Sequence, residues 1–141
     1  MTAKEYLNQA YWLDRRIDSK LMLLENLKDM ATKTTSIMSD EVVSHTRNVH
    51  RMQDIIAKIA DMEDEINADI DALVDLKREI GACIRDVANP EYQILLEQRY
   101  QCFQSWGQIA DSMGYSINNI YRMHSKALEA VRVPKVESSE Q

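Results

Sequence analysis

The sequence predicts an all-α protein: a long antiparallel, coiled-coil-like helical hairpin over residues 1–89, a small three-helix domain containing a helix-turn-helix over 90–132, and a flexible tail over 133–141. Three observations carry this reading. Gly 3 and Pro 2 among 141 residues leave too few of the residues that turn the corners of a sheet. Apolar residues recur at alternating steps of three and four along two long stretches, which is the period of a helix seam. Finally, Asn89-Pro90 punctuates the chain with an N-capping residue followed by one whose fixed φ suits the first helical position.

The first stretch runs from about Ala3 to Lys33, with Ala10, Leu13, Ile17, Leu24, Leu27 and Ala31 in step and Lys20 interrupting. From Thr34 to Thr46 the period is lost and Ser and Thr accumulate, so a connector is expected there. The second stretch, Asn48 to Val87, keeps step through Met52, Ile56, Ile59, Ile66, Ile70, Leu73, Ile80, Ile84 and Val87, with Glu63 and Lys77 as misfits. A helix of roughly 40 residues is about 60 Å long and must find a partner. The first helix folding back supplies one, and a second copy of the chain would cover what is left.

Charge narrows the function classes. Lys+Arg 17 against Asp+Glu 23 gives a net charge of -6, which argues against indiscriminate coating of nucleic acid and against a polybasic membrane anchor. The acidic run Asp61, Glu63, Asp64, Glu65, Asp69, Asp71 and Asp75 contains no Gly to turn it into a calcium loop, so it reads as a solvated helix face. His45, His50 and His124 share no helix-face spacing with a second His or a Cys, and no metal or other cofactor is expected. No apolar run reaches the length of a membrane span. No secretory leader pattern opens the sequence, and Cys83 and Cys102 lack CxxC spacing, so both read as reduced thiols serving as small core hydrophobes in a cytoplasmic protein. Nor is there a nucleophile set, a phosphate-cradling Gly loop or a paired-carboxylate context that would suggest an enzyme.

One segment in this acidic chain is basic: Ser116 to Lys135 holds Arg122, Lys126, Arg132 and Lys135 against Glu129 alone. It ends the stretch SWGQIADSMGYSINNIYRMHSKAL, whose punctuation is that of two short helices joined by a tight turn. Ser105 with Gln108 three residues on forms a capping box, Gly114 supplies a left-handed stop, and Ser116 caps the second helix. A helix-turn-helix needs a small residue where its helices cross, a turn residue tolerant of positive φ four positions later, and an apolar inner face on the second helix. Ala110, Gly114, Ile120 and Met123 meet those demands, with Trp106, Ile109 and Leu128 fixing the crossing. The outer face then presents Asn118, Arg122 and Ser125 at helical steps, flanked by Asn119, Tyr121 and Lys126. Arg is suited to the guanine edge and Asn to adenine, and the others to phosphates.

The block from Glu91 to Val131, with LLEQRY, SWGQIADSMGYS and IYRMHSKAL, resembles region 4 of RNA polymerase sigma factors. The whole chain, including NVHRMQDIIAKI (Asn48 to Ile59), resembles a family of small prophage proteins of Gram-positive bacteria related to ArpU-type phage transcriptional regulators. The resemblance implies a sigma-like DNA-binding module acting on phage late-gene expression, with Ile117, Asn118, Asn119, Tyr121, Arg122 and Lys126 carried over as promoter-contacting positions. Ile117, Asn119 and Tyr121 stand where principal sigma factors usually carry arginine, so both the sequence read and the phosphate grip should differ. Gly107 replaces an acidic helix former common in relatives.

The expected function is therefore a sequence-specific DNA-binding transcription regulator. Ser105, Ser116, Ile117, Asn118, Asn119, Tyr121, Arg122, Ser125 and Lys126 are its candidate contacts to double-stranded DNA. With so few cations one module should bind weakly, and either a homo-oligomer formed through the long helices or docking onto RNA polymerase would supply the missing affinity. Residues 90–135 alone are accordingly expected to bind DNA more weakly than the full chain. The alternative is a helical adaptor, or a phage assembly or packaging protein, whose helix-turn-helix is structural or merely docks on DNA.

Overall fold

The computed structural model describes residues 1–40 and 45–134, the side chains of 37–40 and 45 excepted. Among the described residues there are five helices and no strand: α1 (Ala3–Asp40), α2 (His45–Arg85), α3 (Pro90–Tyr100), α4 (Trp106–Met113) and α5 (Ile117–Ala130). The all-α class and the pairing of two long helices are as the sequence predicts. No helix of the described residues is long and apolar enough to cross a membrane. Contacts group the chain into two compact units, Asp14–Ala72 and a second that joins Met1–Leu13 to the chain from Leu73 onward.

In the unit Asp14–Ala72, α1 buries Ile17, Leu24 and Thr34, and α2 buries Asn48, Ile55 and Ile66. The seam of α2 departs from expectation. Ile56 is 56% exposed and Ile70 42%, whereas Ile55 is buried. Positions 52, 55, 59, 62, 66 and 69 step by three and four as regularly as the predicted set, and period alone does not choose between the two faces. Lys20 supplies a reason for the choice. Its Nζ lies 2.7 Å from Asp69 Oδ2 and 3.6 Å from Glu65 Oε2, so the ammonium that interrupts the α1 seam meets a carboxylate on the face that α2 presents. The hydrogen bond from Lys20 to Asp69 in turn raises the pKa of that lysine.

The connector expected at Thr34–Thr46 is a further correction, because α1 runs on to Asp40 and α2 starts at His45. Hydroxyls within it and just before it explain the persistence of helix. Thr32, Thr34, Thr35 and Ser36 donate to the carbonyls of Lys28, Met30, Ala31 and Thr32 at 2.9–3.3 Å, so these side chains bond back onto the helix instead of competing with it. The stretch 41–44 of that connector lies outside the described residues, as do residues 135–141 of the expected tail.

The second unit has one continuous core. Tyr6, Leu7 and Ala10 of α1 and Ile80, Cys83 and Ile84 of α2, with Val87 just beyond it, cluster with Leu95, Leu96, Tyr100, Ile109, Ala110, Ile120, Ala127 and Val131. Asn89-Pro90 is thus a break in helix but not in packing, and the units divide elsewhere than at residue 89. Gln93 closes the end of α2 by donating from Nε2 to the carbonyls of Arg85 and Val87. Lys77, a misfit in the apolar period, donates from Nζ to the Gln101 carbonyl at 3.0 Å while Gln101 Nε2 donates to the Lys77 carbonyl at 2.8 Å. Cys83 is buried, with Sγ 3.1 Å from the Arg132 carbonyl, and burial pushes its thiol pKa up. Cys102, expected in the core, is exposed instead, because the helix ends at Tyr100 and the chain leaves the core in a turn.

Candidate nucleic-acid interface

Each helix of the C-terminal set starts where a side chain satisfies its free N–H groups. Asn89 Oδ1 accepts from Glu91 N at 2.9 Å with Pro90 at the first position of α3. Ser105 Oγ accepts from Gln108 N at 3.2 Å while Gln108 Oε1 accepts from Ser105 N at 2.9 Å, which completes the predicted capping box of α4. Ser116 Oγ accepts from Asn119 N at 3.2 Å and starts α5. Both serines are exposed, and each hydroxyl keeps its proton for an outside acceptor.

Between α4 and α5 the chain turns on Gly114, at φ 74 and ψ 28, a left-handed conformation that costs a side chain but not a glycine. Tyr115 N then donates to the Ala110 carbonyl at 3.0 Å. Tyr115 Oη donates to Glu91 Oε1 at 2.8 Å, tying this turn to the start of α3. Ala110 is buried and Gly114 exposed, while on α5 Ile120, His124 and Ala127 face the core with Met123 and Leu128 half-buried. A Cβ added at Gly107 would meet nothing within 4 Å, so the cost of that glycine is conformational alone, about 0.5–1 kcal/mol against Ala.

The opposite face of α5 is open. Ile117, Asn118, Asn119, Tyr121, Arg122, Ser125 and Lys126 are all exposed. With Ser116 at its head, α5 therefore brings eight of the nine predicted contacts together along one short helix, while Ser105 stands apart at the head of α4. Neither Arg122 nor Lys126 forms an ion pair among the described residues. Ser125 Oγ donates to the Tyr121 carbonyl at 3.3 Å, four residues back. Tyr121 leans on Trp106, ring centroids 5.5 Å apart and edge to face, which holds its ring at the α4–α5 crossing.

Beneath this face sits a pair that sequence reasoning missed. Tyr100 Oη and His124 Nε2 are 2.6 Å apart, both residues buried. The rings stack at 5.8 Å, and Trp106 meets His124 edge-on at 4.6 Å. Burial, with Lys4 and Arg99 adding like charge, lowers the imidazole to about 4, and burial raises the Tyr100 phenol to about 12. The inward position of His124 was legible, since it lies four residues after Ile120 and three before Ala127 on the inner face, but its partner was not. Above them Arg99 places its guanidinium 4.2 Å from the Trp106 ring centre and donates to the Gln104 carbonyl at 3.0 Å.

The family described as Protein of unknown function (DUF1492) matches residues 32–132, well over half of the chain. The chain belongs to the DUF1492 family. That match takes in the whole of α2 to α5, so the capped helices, the Gly114 turn and the Tyr100–His124 pair all lie within the DUF1492 region. No curated protein and no solved structure matches the chain.

Proposed function

We propose that this DUF1492 protein is a sequence-specific DNA-binding transcription regulator that lays α5 in the major groove of duplex DNA. The observation that carries the reading is the two-sidedness of α5. Ile120, His124 and Ala127 anchor one side, and the other offers Asn118, Arg122, Ser125 and Lys126 to solvent, immediately after a left-handed turn from α4. Arg122 and Asn118 suit base edges, and Asn119, Tyr121, Lys126, Ser105 and Ser116 suit phosphates and sugars. Ile117, 44% exposed at the head of α5, offers an apolar contact of the kind that reads a thymine methyl.

Selection of random duplex DNA on the full-length protein tests this. One motif should be enriched, and Arg122→Ala should weaken binding to it by about 1–3 kcal/mol, roughly 5- to 150-fold, while relaxing the preference at one base pair. Asn118→Ala should do the same at a neighbouring position. If all three proteins fold alike and enrich nothing, the regulator reading fails.

A second copy of the chain is the proposed source of added affinity. The unit Asp14–Ala72 leaves Leu21, Met22, Leu23, Met30, Ile56 and Ile70 exposed, apolar surface that a second copy would cover. Sedimentation should then give twice the chain mass of 16.3 kDa at micromolar concentration. A single-chain mass would remove the homo-oligomer and leave docking onto RNA polymerase as the tether.

A further inference from the structure

Beside the Ser105 cap, Asn8, Tyr11 and Trp12 of α1 face Arg99 of α3 and Phe103 of the α3–α4 connector across an open cavity of about 460 Å³. Three features set it apart. First, no carboxylate lines it, in a chain of net charge -6. Its polar groups are donors or carry one: the Asn8 and Gln108 amides, the Tyr11 and Ser105 hydroxyls, the Trp12 indole N–H and the Arg99 guanidinium. Second, Arg99 is held in place by its stacking on Trp106 and its single bond to the Gln104 carbonyl, which uses one of the five donors a guanidinium has. Third, the aromatic wall is left open to solvent. Trp12 is 67% exposed and Tyr11 38%, the two meeting edge-on at 5.2 Å and Tyr11 meeting Phe103 at 5.7 Å. Phe103 itself sits at φ 56, a conformation bulky residues avoid, with Lys77 Nζ 4.6 Å from its ring centre.

We infer that this cavity receives a phosphate of the duplex backbone, so that the DNA-binding surface continues from Ser105 onto the first turns of α1. The inference rests on the DNA-binding reading above and assigns to it residues of α1 and α3 that lie outside the helix-turn-helix. A donor-lined, cation-bearing and carboxylate-free surface calls for an anion. The anion is a backbone phosphate because Ser105 belongs both to this cavity and to the predicted DNA contacts, and because the first helix of a helix-turn-helix crosses the backbone when the second enters the groove.

The test uses the full chain and the duplex enriched in the selection described above, with Trp12→Ala and Asn8→Ala, alone and together, as variants. Both positions are outside the buried core, and circular dichroism is the check that each variant folds. The double variant, which removes neutral hydrogen-bond donors, should bind about three- to tenfold more weakly, by the same factor on the selected duplex and on one with its motif scrambled, because a phosphate contact carries no sequence information. Ethylation interference should lose one phosphate outside the bases that α5 protects. Unchanged affinity and an unchanged ethylation pattern would overturn the inference and leave the DNA-binding reading standing. A loss confined to the selected motif would also overturn it, by making these side chains base readers. Failure of the wild type to enrich any motif removes both.

Discussion

A fragment cut to residues 90–135 will not hold its fold: its far-UV circular dichroism should fall well below that of the same residues in the full chain, and it should melt without a cooperative transition. The reason lies in the core. Tyr6, Leu7, Ala10, Ile80, Cys83, Ile84 and Val87 come from outside the fragment, and they make up seven of the fifteen buried residues of the cluster. Truncating one fully buried Leu or Ile to Ala costs about 2–5 kcal/mol, and Leu7, Ile80 and Ile84 are each 0% exposed. Their joint loss, about 6–15 kcal/mol, is as large as the roughly 5–15 kcal/mol by which a domain of this kind is stable. Weak DNA binding by this fragment would therefore reflect lost structure before lost avidity. Leu7→Ala in the full chain is the gentler version, with an expected loss of about 3 kcal/mol in chemical denaturation. A cooperative, native-like melt of residues 90–135 would refute this account of the core.

Acid should weaken the same unit through His124. Its imidazole titrates near 4 in the folded chain against an ordinary 6.5, so between those values the unfolded chain binds a proton that the folded chain refuses. Stability from this group is complete above about pH 6.5, declines as pH falls, and is fully lost below about 4. Converted in full, the difference is about 3 kcal/mol, and screening by solvent at the ring edge brings it to on the order of 2 kcal/mol. The melting temperature of the wild type should therefore drop over that window, and His124→Gln should flatten the drop while lowering stability at neutral pH. Nuclear magnetic resonance of the His124 ring decides the point directly. A midpoint near 6.5 would show that the ring is not buried against Tyr100.

How legible these features were in the sequence depends on whether a neighbour in the chain determines them. The caps at Asn89, Ser105 and Ser116 and the left-handed Gly114 were legible because each is a contact within a few residues, and the exposed face of α5 followed from the 3.6-residue period. The face of α2 that meets α1 was not, because two apolar stripes share one period and the choice between Ile55 and Ile56 turns on Lys20 meeting Asp69 across the hairpin. Tyr100 and His124 are 24 residues apart, and no local pattern links them. The threonines before residue 37 misled for the opposite reason. Their composition is that of a loop, but hydroxyls that bond four residues back let a helix continue.

Cys83 lends this fold an intrinsic reporter. Its thiol sits inside the core shared by the chain's two ends, beside the carbonyl of Arg132 just past α5, whereas Cys102 stands in solvent. A thiol reagent should label Cys102 at once and Cys83, which is 7% exposed on the wall of a cavity open to solvent, far more slowly. The ratio of the two rates then reports how tightly that wall is held, readable on the unaltered protein.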